Sequence, residues 1–242
     1  MVDDRQIISE EVLLTHLRIH TDRQVPGSGL AQRIGRILPQ ELRSWVRVLI
    51  TRLILPQQRL LAAYYRSQLP LKLNIGCGTL PLQGWINIDL IGLPVDLIWD
   101  IRYPLPFGTN TVDAIFHEHV IEHLNPLHGY SLLKDCYRML KPGGIMRIVA
   151  PDASKYLHSY IDREHQFLKA WRPGRLRPLM ALQEEFYGFG HRAIYDSDTM
   201  ALFCNVAGFS IIESRQFGDT RLTPCPDSEW RITDSFYTEV VK

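Results

Sequence analysis

Residues 116–124 read FHEHVIEHL, placing three histidines and two glutamates in nine positions. Histidine ligates metals and exchanges protons near neutrality. If the segment were one helix, His119 and His123 would share a face. With Glu122 as base and a third ligand downstream, that pair would suit zinc-assisted hydrolysis. Two features turn the reading away. The segment follows directly on TVDAIF, a strand-like run, and the chain is short for such an enzyme. No metal is assigned on this basis. Glu122 and His123 are expected to open a helix and make structural hydrogen bonds, while His117, Glu118 and His119 face a pocket.

A second chemical group lies forty residues earlier. LKLNIGCG (71–78) is a short apolar run entering a turn with Gly76 and Gly78. Glycine there lets the backbone bend sharply and approach a ligand where a Cβ would clash. WINIDL (85–90) reads as a second strand ending in Asp89, a carboxylate placed to accept ribose hydroxyls. VDLIWDI (95–101) reads as a third, ending in Asp100. TVDAIFH makes a fourth strand, a helix follows over roughly 129–140, KPGG (141–144) makes a turn, and IMRIVAP (145–151) a fifth strand. Strands alternating with helices predict a parallel sheet covered on both faces, with ligands beyond the carboxyl ends of its strands. A nicotinamide fingerprint would need a third glycine where Pro81 stands, which disfavours an oxidoreductase.

This ordered set resembles the class I S-adenosylmethionine-dependent methyltransferases. Within them it is most similar to small methyltransferases reading LNLGCG, GWINVD, PLPF, EHVLEHL, RVLKPGG and RIVVPD, associated with polysaccharide or glycolipid synthesis. The resemblance is strong over 71–152, looser over 187–242 and absent before 70. It implies a Rossmann-like α/β fold, a seven-stranded sheet whose final strand (235–242) runs antiparallel between strands five and six. It implies S-adenosyl-L-methionine as cofactor. Asn74, Ile75, Gly76, Cys77 and Gly78 would line its methionine and ribose part. Asp89, with Leu90, would bind the ribose hydroxyls, Asp100 and Ile101 would flank the adenine, and His117 and Glu118 would stand beside the sulfonium. Candidate bases for the acceptor proton are His119, His191 in YGFGHRAIYDSDTM, and Asp152 after strand five. The alternatives are a protein of the same fold that binds the cofactor without turnover, and the H-x-x-E-H zinc peptidase.

The elements around these residues set the domain plan. Residues 1–70 form an N-terminal helical segment with ten arginines, no lysine and six acidic residues. Residues 71–242 form the catalytic domain, and 153–190 an aromatic-rich helical insert whose aromatic residues suit core packing or, alternatively, a wall against substrate. Leu42, Trp45, Val46, Leu49 and Leu53 share one helical face opposite Arg43 and Arg47, an amphipathic pattern suited to packing or to an anionic membrane surface. A second helix is expected at 57–68, another at 196–207, and a sixth strand in FSIIESRQF. The net charge of +1 implies no bulk attraction to nucleic acid. IFHEH stands where base-amino methylation would want an Asn/Asp-Pro-Pro-aromatic motif, and no Pro-Cys follows strand five. Both absences argue against nucleic-acid methylation, and the resemblance implies a small-molecule or carbohydrate acceptor, with oxygen or nitrogen receiving the methyl group. Four scattered cysteines, no signal-like leader and no apolar run of spanning length predict a cytoplasmic protein with a peripheral membrane contact.

Overall fold

A computed structural model describes residues 49, 53–67, 69–90, 95–163 and 166–242. Most of the amphipathic 39–56 segment lies outside the described residues. No described helix is long and apolar enough to cross a membrane.

The sheet is built from β1 (Lys72–Ile75), β2 (Ile86–Asp89), β3 (Leu97–Ile98), β4 (Val112–Glu118), β5 (Leu140–Pro151), β6 (Ile211–Arg215) and β7 (Ser235–Val241). Its order is β3-β2-β1-β4-β5-β7-β6. β1 to β5 are parallel neighbours, and β7 runs antiparallel to both β5 and β6. This is the expected Rossmann-like sheet of seven strands, mostly parallel, with the last strand antiparallel between β5 and β6. The order reverses between β1 and β4, so their carboxyl ends diverge into a crevice there.

Alternation along the strands makes two apolar layers. Ile75, Ile88, Ile115 and Ile148 enter one core, with Leu132, Leu133, Cys136 and Met139 of α2 (Pro126–Met139) and Met200 and Cys204 of α6 (Ser197–Ala207). Ala114, Phe116 and Val149 face the other way, against Trp85, Leu222 and Tyr237. α2 starts where Asn125 accepts the amide of His128 at 2.8 Å and Pro126 supplies a fixed φ. α6 starts where Asp196 accepts the amide of Thr199 at 2.8 Å, and it ends at Gly208 in a left-handed conformation.

Three elements depart from the expected plan. β3 keeps only two ladder residues, because Asp96 turns its carboxylate inward to the amide and side chain of Asn87, at 2.8 and 2.9 Å. KPGG lies inside β5 as a bulge: Leu140 pairs with Val112 but Ile145 already pairs with Ala114. The helix expected at 57–68 is α1 (Leu55–Tyr65), and it is built into the sheet edge. Ala62 is buried in the main core, and Gln58 accepts the amide of Ile98 at 2.8 Å.

The described chain divides into two compact units, residues 156–190 and the remainder from 53 onward. The smaller unit holds α4 (Gln166–Trp171) and α5 (Pro178–Gln183), after α3 (Ala153–Ile161), within which the division falls. Tyr156, Leu168, Ala181 and Leu182 form its core, with Phe167, Trp171 and Phe186 packed on them. Most of the insert's aromatic residues thus pack among themselves, whereas Tyr187 is exposed. Two of its carboxylates are paired too, Glu184 with Arg175 and Glu185 with Arg172.

Candidate active site

The glycine turn folds back on β2, where the amides of Gly76 and Cys77 both donate to Ile88 O, at 2.7 and 3.1 Å. Gly76 has φ +71°, and a Cβ there would lie 2.3 Å from a methyl of Val120. Gly78 has φ +53°, but a Cβ there would meet nothing within 4 Å. One glycine makes room for protein, the other borders open space.

Asp89 ties the turn to the chain after β2. One carboxylate oxygen accepts the amide of Gly78 at 2.8 Å, the other that of Leu90 at 2.6 Å. An ionised carboxylate offers about four lone-pair directions. Two are used, on a half-buried side chain. The neighbouring Cys77 thiol is no nucleophile: burial, then Asp89 and Asp96, push its pKa up to about 12. Beneath lies a buried amide network. Asn74 donates to Asn87 Oδ1 at 3.0 Å, and that oxygen also accepts the amide of Leu82 at 2.8 Å. Asn74 therefore supports the turn from below. Asn87 and Asp96 were missed in the sequence, although a polar residue alternating with apolar ones in a buried strand demands a partner.

The other candidates are dispersed around this turn. Ile75 is a core residue. Asp100 is buried and forked by Arg102, through Nε at 2.8 Å and Nη2 at 2.6 Å, while Ile101 is half-buried beside it. The i, i+2 charge pair was the signal for Arg102. Glu118 accepts the amide of Ser228 at 3.0 Å. Asp152 begins α3, accepting the Ser154 hydroxyl at 2.6 Å and its amide at 3.1 Å.

His117 was expected to face the pocket, but its ring is fully buried with no hydrogen-bond partner on either nitrogen. It shares the face of Ile115 on β4, which alternation directs into the core. Desolvation lowers its pKa from 6.5 to about 4. As pH falls below 6.5 the unfolded chain takes up a proton that the folded chain refuses. Stability should therefore drop between about pH 6.5 and about 4, by roughly 1.4 kcal/mol per pH unit. Urea midpoints across that range should slope less in His117→Leu; equal slopes would clear His117 of the effect.

His119 has a different environment. It lies just past β4 with φ +52°, its amide donating to Val149 O at 2.9 Å. Its Nε2 lies 2.8 Å from Ser235 Oγ, and that hydroxyl donates to Asp234 Oδ1 at 3.1 Å. The Nδ1 of His119 faces Glu122 Oε1 at 3.6 Å. The helix imagined over 119–123 is a single 3₁₀ turn, Ile121–His123, that excludes His119. His123 instead meets His191, with ring centroids 4.9 Å apart. The 190s loop is held there by the amides of Arg192 and Ala193, which donate to Glu122 O at 2.7 and 3.1 Å.

A family model described as a methyltransferase domain matches residues 97–148. A ubiquinone biosynthesis O-methyltransferase of Parvibaculum lavamentivorans is 31% identical over 83 residues, 34% of this chain and 32% of that protein. The chain thus aligns with about a third of the length of this curated relative. Similar solved structures include an S-adenosylmethionine-dependent methyltransferase from Archaeoglobus fulgidus, 17% identical, covering 81% of this chain and 94% of that one with a TM-score of 0.45. Another is phosphoethanolamine N-methyltransferase 2 of Haemonchus contortus, 16% identical, covering 77% and 52% with a TM-score of 0.42. Likeness at this level bears on neither acceptor nor partner. The match to the methyltransferase-domain model runs from β3 into β5 of a seven-stranded, Rossmann-like sheet.

Proposed function

We propose that this chain transfers a methyl group from S-adenosylmethionine to an oxygen or nitrogen of a small-molecule or carbohydrate acceptor, in polysaccharide or glycolipid synthesis. The observation that carries the reading is the Asp89 carboxylate, fixed by the amides of Gly78 and Leu90 at the end of β2 beside open space. The cofactor supplies a methyl group made electrophilic by its sulfonium. Asp89 takes the ribose hydroxyls on its remaining lone pairs, and the backbone of Gly76, Cys77 and Gly78 lies against the methionine part. Asp100 and Ile101 border the adenine, with Arg102 holding the carboxylate in place. Holding donor and acceptor in line supplies much of the rate, on the order of 7–11 kcal/mol. A base that takes the acceptor proton adds about 10²–10⁴-fold. His119, His191 and Asp152 are the proposed bases. Of these, Asp152 is already engaged at the start of α3.

Calorimetric titration with S-adenosylmethionine and with S-adenosylhomocysteine tests the reading. Both should bind. Asp89→Ala should weaken them about 10- to 100-fold, the loss of charged hydrogen bonds worth ~1.5–3 kcal/mol, with the circular dichroism spectrum kept. Unchanged affinity would defeat the ribose assignment. Binding of neither ligand by the folded wild type would defeat the whole reading. Binding without methylation of any of a panel of sugar nucleotides and small hydroxylated or amino acceptors would favour a binding protein of the same fold.

A further inference from the structure

The geometry points to a divalent-metal site formed by Glu122, His123 and His191. One ligand atom from each lies within 4.8 Å of the others. Ligand atoms around tetrahedral zinc, bound at ~2.0–2.1 Å, stand roughly 3.3 Å apart. Glu122 Oε1 and His123 Nε2 are 4.0 Å apart, so small side-chain rotations close the set. The chain brings these residues together from two segments by backbone bonds, since the amides of Arg192 and Ala193 both end on Glu122 O.

One further observation favours a cation. Glu122 is 2% exposed, and a cation bound at a carboxylate so far from water is attracted more strongly than one at the surface. The only acid in the cluster is thus the buried member, while His123 and His191 reach solvent. On its other side Glu122 Oε1 lies 3.6 Å from His119 Nδ1. Two imidazoles and one carboxylate suit a first-row divalent ion and leave coordination positions open. A set without thiolate disfavours the soft ions that cysteine selects.

The site sits just past the end of β4, on the carboxyl side of the sheet where ligands gather. If methyl transfer is the reaction, an open position would take an acceptor oxygen and lower its pKa. That clause rests on the proposed function and narrows the acceptor to one that offers a hydroxyl. Metal uptake itself does not depend on it.

The test uses the full chain, stripped with chelator, dialysed and titrated with Zn²⁺ by calorimetry and with Co²⁺ by its visible absorption. The wild type should take up one equivalent, less tightly as pH falls and the imidazoles protonate. His123→Ala and His191→Ala each remove a partly exposed side chain, so both variants should stay folded. Each should lose at least tenfold in affinity and the cobalt band. No uptake by the folded wild type, or uptake that either variant leaves unchanged, would overturn the site. Because this titration omits S-adenosylmethionine, its failure is distinguishable from failure of the methyl-transfer reading.

Discussion

Arg147→Met is expected to destabilise the protein by about 3–5 kcal/mol, the cost of leaving one charge of a buried pair alone. Arg147 stands in the middle of β5 with no exposed surface, and its partner Asp227 has none either. The guanidinium reaches Asp227 through Nε at 3.0 Å and Nη2 at 2.6 Å, and it also donates to the carbonyls of Asp219 and Gln216 at 3.0 and 2.8 Å. Its plane lies over Tyr237, 5.0 Å from the ring centroid. Every donor direction but one is thereby taken, and the side chain ties β5 to the loop at Gln216, Asp219 and Asp227. Removal strands the Asp227 carboxylate and frees two carbonyls together. Urea unfolding of the wild type, Arg147→Met and Arg147→Met/Asp227→Asn would measure it. The double variant should recover part of the loss, since it no longer buries a lone charge. A single-variant cost below about 1 kcal/mol would mean that water reaches Asp227 and that the pair is not structural.

Gly76→Ala should cost about 2–5 kcal/mol and disable the turn it opens. Two separate effects add. A left-handed φ costs an L-residue roughly 1–2 kcal/mol, and an extra methyl forced into packed surroundings roughly 1–3 kcal/mol. The second arises because the new Cβ would lie 2.3 Å from Val120 Cγ2. Val120→Ala should therefore restore the packing part in the double variant and leave the backbone part. Gly78→Ala is the control, with a similar φ of +53° but nothing within 4 Å of the new methyl. It should cost only the backbone term and should act instead on ligand affinity. Thermal unfolding of the four proteins separates these terms. Equal losses for Gly76→Ala and Gly78→Ala would show that Val120 yields freely.

Much of this architecture was legible because the residues that carry it speak locally. β1, β2, β4 and β7 declare themselves as short apolar runs and α6 was expected where it stands, whereas α2 was expected from about 129 and begins at Pro126. The site was legible where glycine and carboxylate spacing follows from one strand–turn–strand unit, as at Gly78 and Asp89. It was illegible where a side chain's fate depends on a distant segment. His117 looked like a pocket residue because it sits among other histidines, yet strand alternation turns its ring into the core. Arg147 read as one polar residue in an apolar strand, and its partner lies 80 positions on. The H-x-x-E-H spacing assumed a helix that the left-handed His119 cannot join, so the histidine that meets His123 comes from the 190s loop. Helix α1 was assigned to a separate segment because residues before 70 carry a different charge balance. Charge balance does not report that Ala62 and Gln58 reach the sheet.

The placement of β7 between β5 and β6 has a consequence for how the chain is made. A ribosome delivers β5 some eighty residues before β7, so the newborn sheet displays β5 as a bare edge. Open edges invite pairing with other chains. During that interval Arg147 also lacks Asp227, and an unpaired guanidinium in the middle of that edge repels the burial that intermolecular pairing requires. The residue that locks the finished sheet thus acts beforehand as a gatekeeper, keeping the half-built one soluble until the strand that belongs beside it arrives.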